Sequence, residues 1–192
     1  MDAAEALISN RGFGGTSIDM ILEACQVTKG MFFYYFSTKQ ALGHALALRA
    51  HARESLALKE ISGSAHEQTE DPLEQLGLML DALAVHYVPR GRARPVGTIL
   101  AIFVYESDLF TEDTRKVVLQ TVRELREMFV SRLRQIKPRS PRSASPSANG
   151  VADYMVAMIE GGHILARVTG KPSAVADQLQ HCKQYLQLLY KP

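Results

Sequence analysis

Cysteine is scarce in this chain of 192 residues, which has only Cys25 and Cys182. Each falls on an apolar position of a helical pattern, so they read as buried thiols of a reducing compartment, which argues against a disulfide framework. Long apolar runs are missing as well. Nothing approaches the roughly 20 residues that span a bilayer, and no leader pattern opens the chain, so neither membrane insertion nor export is expected and the protein reads as cytoplasmic. An excess of one charge is also absent. The formal net charge is +2, and residues 1–50 set Arg11, Lys29, Lys39 and Arg49 against Asp2, Glu5, Asp19 and Glu23. Composition alone therefore does not announce a nucleic-acid binder. Catalytic spacing is lacking too: His44, His51, His66, His86, His163 and His181 show no metal-ligand spacing with acids or cysteines. With no nucleophile and base and no phosphate loop in view, neither an enzyme nor a metal or other cofactor is expected.

What the chain does have is helical periodicity. After Asp71-Pro72, a cap followed by proline at the first helical position, apolar residues fall at Leu73, Leu76, Leu80, Leu83 and Tyr87. The spacing recurs at Val118, Val122, Leu125, Phe129, Leu133 and Ile136, and again at Val175, Leu179, Cys182, Leu186 and Leu189. No alternating strand pattern competes. Turns are placed by Gly12, Gly14 and Gly15, by Pro89 to Pro95 and by Gly170 to Pro172. Arg90, Arg92 and Arg94 read as a solvated loop, and KPRSPRSASPSANG, residues 137–150, as a mobile connector. The expectation is an all-α protein of about nine helices without a sheet. Its first helices are short, up to a longer one from Thr38 to about Ile61. That change in length suggests a head over residues 1–45 joined through a shared helix to a larger bundle over residues 46–192.

The head contains QVTKGMFFYYFSTKQAL, residues 26–42, in which Phe32 to Phe36 are all aromatic. Thr28 ahead of the run and Ser37 behind it both look like helix starts, so the aromatic segment reads as a short helix between two caps. Thr16 with Asp19, and Ser37 with Gln40, fit capping boxes. The helix that Thr16 opens would bury Ile18, Ile21, Leu22 and Cys25, and Gln26-Val27 would turn the chain into the aromatic helix, which makes a helix-turn-helix. Phe32 and Phe36, four apart, share the inward face. Left for an outside partner are Thr28, Lys29, Gly30, Met31, Tyr34 and Tyr35, suited to phosphates and base edges, with Lys39 holding the nucleic-acid backbone beyond.

TSIDMILEACQVTKGMFFYYFSTKQAL resembles the DNA-binding region of TetR-family transcriptional regulators, whose pattern reads approximately T-x-x-x-I-A-x-x-A-G-V-S-K-G-T-L-Y-Y-Y/H-F-x-S-K-E-x-L. The match covers about a quarter of the chain. It implies a homodimer on a palindromic operator, with a helical C-terminal domain that binds a small molecule and releases DNA, repression being the default sense. Thr16, Ser17 and Phe33 then join the DNA-contacting set. Departures are visible. Gln26 stands where the family has a turn glycine, at about 1 kcal/mol if φ is positive there. Phe33 replaces a tyrosine and loses a hydroxyl, Met31 replaces a small polar residue and favours a thymine methyl, and the chain opens at Met1-Asp2 without a basic arm. A helical DNA-binding protein without an effector is the alternative.

Two further sets belong to the C-terminal region. The middle segment is apolar nearly all round, more than one contact face can use. An effector pocket is therefore expected from Leu83, His86, Tyr87, Ile99, Phe103, Tyr105, Glu106 and Phe110, for a hydrophobic, aromatic or cationic molecule with Glu106 as countercharge. Pairing of two copies is expected through Val151, Tyr154, Met155, Met158, Gly162 and Leu165, with Leu179, Cys182 and Leu186 of the last helix, as a four-helix bundle. Gly161-Gly162 would permit close helix approach.

Overall fold

The computed structural model describes residues 1–88, 99–136 and 146–190. Among them are nine α-helices and no strand: α1 (Asp2–Arg11), α2 (Ile18–Cys25), α3 (Lys29–Tyr35), α4 (Lys39–Gln68), α5 (Pro72–Tyr87), α6 (Ile99–Tyr105), α7 (Glu112–Leu133), α8 (Ala148–Thr169) and α9 (Ala174–Tyr190). A 3-10 turn, Ser107–Leu109, follows α6. The Pro89 to Pro95 turn, with Arg90, Arg92 and Arg94, lies outside the described residues, as does most of the 137–150 connector. The last three residues of that connector are helical, because the Ser147 hydroxyl accepts from the Gly150 amide and starts α8 earlier than its lack of apolar spacing suggests.

The chain forms two compact units. The first takes residues 1–54 and 99–121, the second residues 55–88, 122–136 and 146–190. Compactness thus divides the chain differently from a cut at residue 45. α4 is also longer than its apolar pattern indicates, running to Gln68 rather than about Ile61.

In the first unit the core gathers Ala4 and Ile8 of α1, Phe13, Ile21, Phe32, then Leu42, Leu46, Ala47 and Ala50 of α4, with Ile99, Ile102, Phe103, Phe110 and Val118. Phe13 is its hub, with ring centroids 6.4 Å from Phe103 and 4.4 Å from Phe110. Gly43 lets α4 come this near. A Cβ there would stand 2.9 Å from Phe13 and 3.0 Å from Phe110. α1 is tied to α4 by charge, Arg49 reaching Asp2 at 2.5 Å and Glu5 bridging Arg49 and Arg53. The Arg49 hydrogen bond holds the Asp2 carboxyl below its usual range. Along the other side, His44 pairs with Thr114 at 3.1 Å and His51 with Thr121 at 2.9 Å. Both rungs have an offset of 70, so α4 and α7 run parallel here without a slip in register.

The second unit buries most of the expected stripes, with Val118 falling in the first unit. Leu76, Met79, Leu80 and Leu83 of α5, Leu125, Phe129 and Leu133 of α7, and Val151, Met155 and Ile159 of α8 face inward with Val175, Leu179, Cys182 and Leu186 of α9. Asp71 caps α5 by accepting from the Leu73 amide, with Pro72 in its first turn. Gly170, at φ 68, ends α8. Arg126 on α7 reaches Asp153 on α8 at 2.5 Å, and Lys183 on α9 reaches Asp81 on α5 at the same distance. Cys182 is sealed within, and burial pushes its thiol up to about 11; Cys25, expected to be buried, is only half covered.

Candidate nucleic-acid interface

Two short helices and a tight turn build the face. α2 starts at Ser17, whose hydroxyl accepts from the Met20 amide, and α3 starts at Thr28, which accepts from the Met31 amide at 3.2 Å. Between them Gln26 is left-handed, φ 53 and ψ 43, a conformation that glycine would adopt without strain. Phe32 is buried, and Phe36 packs half-covered against it with ring centroids 5.9 Å apart. The rest of α3 points away from the unit. Met31, Phe33, Tyr34 and Tyr35 are all exposed, Tyr34 at 82%. Tyr34 and Tyr35 stand edge to face, 5.0 Å between centroids. Thr28, Lys29 and Gly30 share this exposure, and a Cβ on Gly30 would meet nothing within 4 Å. Among the described residues nothing therefore requires glycine at that helical position, where it costs roughly 1 kcal/mol relative to alanine. The first turn of α3 carries no acid to offset Lys29.

Two residues expected on this face are occupied elsewhere. Thr16 is fully buried, its hydroxyl donating to the Gly12 carbonyl at 2.7 Å, so it neither caps α2 nor reaches an outside partner. The cap belongs to Ser17, one residue on. Lys39 turns inward, donating to the Phe13 carbonyl at 2.5 Å with its ammonium 4.3 Å from the Phe13 ring centroid. Partial burial lowers its pKa, and the nearby Glu106 charge opposes that shift. Likewise Thr38, not Ser37, accepts from the Ala41 amide and opens α4. In both pairs of adjacent hydroxyl residues, composition gives no preference and the path of the entering chain decides.

Residues 1–46 match the family described as bacterial regulatory proteins, tetR family. An uncharacterized HTH-type transcriptional regulator in the lacX 3' region of Lactococcus lactis subsp. lactis is 28% identical over 171 residues, 88% of this chain and 82% of that one. Residues 1–46 are a DNA-binding head of the tetR family. The HTH-type transcriptional repressor NemR of Escherichia coli (strain K12) is 34% identical over 67 residues, 35% of this chain and 34% of its own. The fold of reduced E. coli NemR superposes with a TM-score of 0.73 at 20% identity, covering 95% of this chain and 92% of that one. AibR, solved in complex with isovaleryl coenzyme A and operator DNA, superposes with a TM-score of 0.70 at 19% identity over 99% of this chain and 95% of its own. Among the described residues, no helix is long and apolar enough to cross a membrane, and no three His, Cys, Asp or Glu cluster as metal ligands would.

The expected effector set divides between the units. Ile99, Phe103 and Phe110 are buried in the first unit's own core, on Phe13, and ordinary packing accounts for them. Glu106 is engaged as well, accepting from the Gly14 amide at 2.6 Å. Tyr105 is exposed, and Leu83 is buried in the core of the second unit. Also in the second unit, His86 and Tyr87 have ring centroids 4.9 Å apart, and Tyr87 stands edge to face with the buried His163 at 5.0 Å. His163 was not singled out by its spacing. Only its i, i+4 relation to Ile159 and Ala166's neighbouring face marks it as inward.

The expected pairing set is divided by burial in the single chain. Val151, Met155, Gly162, Leu179, Cys182 and Leu186 are buried within the chain, so they hold α8 and α9 to their own unit. A Cβ on Gly162 would lie 2.8 Å from the Val175 Cα, which makes Gly162 the close-approach point of α8 with α9. Tyr154 and Leu165 are exposed and Met158 is half-covered. With Gly161 and Val168 they form a separate stripe at positions 154, 158, 161, 165 and 168. On α9, Tyr185 and Leu188 are exposed, and the Tyr154 and Tyr185 rings lie 5.1 Å apart, joining the two stripes.

Proposed function

We propose that the protein is a ligand-responsive repressor that binds an inverted-repeat operator as a homodimer and is released from it by a small molecule. The exposed row Met31, Phe33, Tyr34 and Tyr35 beside Lys29 carries the DNA half of this reading, because four large side chains in one short helix are left in solvent. In this reading α3 lies in the major groove, Tyr34, Tyr35, Thr28 and Ser17 donate hydroxyls to phosphates, Lys29 supplies charge, and Gly30 admits the backbone closely. Met31 faces a base edge and prefers a thymine methyl. Such a regulator acts on the chromosome, in the cytoplasm.

Pairing is assigned to the exposed stripe of α8 with Tyr185 and Leu188 of α9. Val168 and Leu188 are 79% and 80% exposed in the single chain, and a second copy would cover them. The effector is assigned to the second unit, at Tyr87 with His86 and His163, whose rings suit an aromatic or otherwise planar apolar molecule. Support comes from the named relatives: one is a repressor, and another was solved with an acyl coenzyme A and operator DNA.

A panel of small aromatic compounds, scored by melting temperature and by operator binding in parallel, tests the reading. The expected outcome is a compound that raises the melting temperature by a few degrees while weakening DNA binding at least 10-fold, with both effects lost in Tyr87→Ala. Compounds that stabilise the protein without loosening DNA would favour a DNA-binding helical protein with no effector.

A further inference from the structure

The turn that leads into the helix-turn-helix is held from outside it. Glu106 follows α6, its own amide bonded to the Ile102 carbonyl and its carbonyl accepting from Leu109, both at 2.9 Å, so its backbone is fixed on both sides. Its carboxylate then spans 92 positions of sequence to accept from the Gly14 amide at 2.6 Å. The other oxygen covers Gly12 so closely that a Cβ there would collide with it, and Gly12 has φ 81 besides. The two carbonyls of the same turn are also taken: Gly12 by the Thr16 hydroxyl at 2.7 Å, and Phe13 by the Lys39 ammonium at 2.5 Å. Ser17, the cap of α2, comes immediately after. All of these groups belong to the first compact unit.

We propose that Glu106 is a positioning residue for DNA binding: by clasping the Gly12–Gly14 turn it fixes the entry of α2, and through α2 the placement of α3. It makes no contact with DNA in this role. The α6 segment thereby governs operator affinity through a carboxylate that lies sixty residues beyond the part of the chain matching the tetR family model, which ends at residue 46. The inference needs only DNA binding and stands whether or not an effector exists. A surface acid acting through its charge would have the opposite sign, since removing it would reduce repulsion of phosphates and tighten binding.

The test uses the full chain, an operator fragment recovered by selection from random DNA, and the variants Glu106→Ala and Glu106→Gln. Affinity is measured across a salt series, and exchange of the Gly14 amide is followed by NMR with the Phe32 amide of α3 as reference. Alanine is expected to weaken binding on the order of 10-fold, with the slope of log affinity against log salt unchanged. Glutamine keeps an acceptor oxygen without the charge, so it is expected to fall between alanine and wild type. Gly14 exchange should accelerate in the same order while Phe32 stays protected. Wild-type or tighter affinity in Glu106→Ala, or an unaltered Gly14 exchange rate, overturns the proposal. If the alanine variant does not fold, Glu106→Gln decides alone: weaker binding with faster Gly14 exchange supports the clasp, and wild-type values in both overturn it.

Discussion

Lys29 and Lys39 have the same charge and flank the same aromatic helix, yet the structure gives them different work. Lys29 is exposed at the start of α3, whereas Lys39 is bound to the Phe13 carbonyl and lies over its ring. A lysine neutralising one phosphate contributes roughly one unit to the salt slope of binding. Lys29→Ala should therefore reduce the slope by about 0.9, and Lys39→Met should leave it unchanged while lowering the melting temperature, as measured by operator titrations at several salt concentrations with thermal melts alongside. A reduced slope in Lys39→Met would return that lysine to the DNA face. The sequence could not separate the two, because the spacing that places Lys39 at a helix start says nothing of the Phe13 carbonyl, a contact made 26 residues away. Gln26 was more legible. A turn that takes glycine in the resembling pattern needs a left-handed residue, and φ is indeed 53 there, a strain of about 1 kcal/mol for a residue with a Cβ.

At the scale of helices, periodicity located apolar faces correctly but not what they cover. Met155 and Leu165 lie on the same helix and are equally apolar, yet one is buried by its own chain and the other is exposed. Hydrophobicity is non-directional, so a stripe can indicate burial without naming the partner. The glycine pair of α8 shows the same limit. Gly162 faces the Val175 backbone and Gly161 faces open space, within adjacent positions that a sequence treats alike. Gly162→Ala is expected to destabilise the folded chain by roughly 1–3 kcal/mol, because the Cβ must push α8 off α9. Gly161→Arg is expected to keep the chain folded and convert a dimer to a monomer, by chemical denaturation and light scattering together. A Gly161→Arg dimer of unchanged affinity would remove the α8 stripe as the pairing surface. The effector set meets the same limit: Ile99, Ile102, Phe103 and Phe110 are packed into the core around Phe13, roughly 90 positions earlier in the chain.

For the whole molecule, the helix-turn-helix of residues 16–42 is legible locally in its turn and aromatic spacing, whereas the caps at Ser17 and Thr38 and the inward Lys39 depend on the path of the chain around them. The proposed pairing and effector release rest on contacts between distant segments or between copies, which local patterns do not encode. The central claim joins the two: exposed α3 residues read DNA, and two copies read it together. Selection of bound fragments from random DNA by the purified chain tests it most directly. The account predicts enrichment of an inverted repeat whose half-sites are separated by about one helical turn, 10–10.5 base pairs, or a multiple of it, and loss of that enrichment in Tyr34→Ala. Enrichment of a single unrepeated site, or no enrichment over the starting pool, would contradict it.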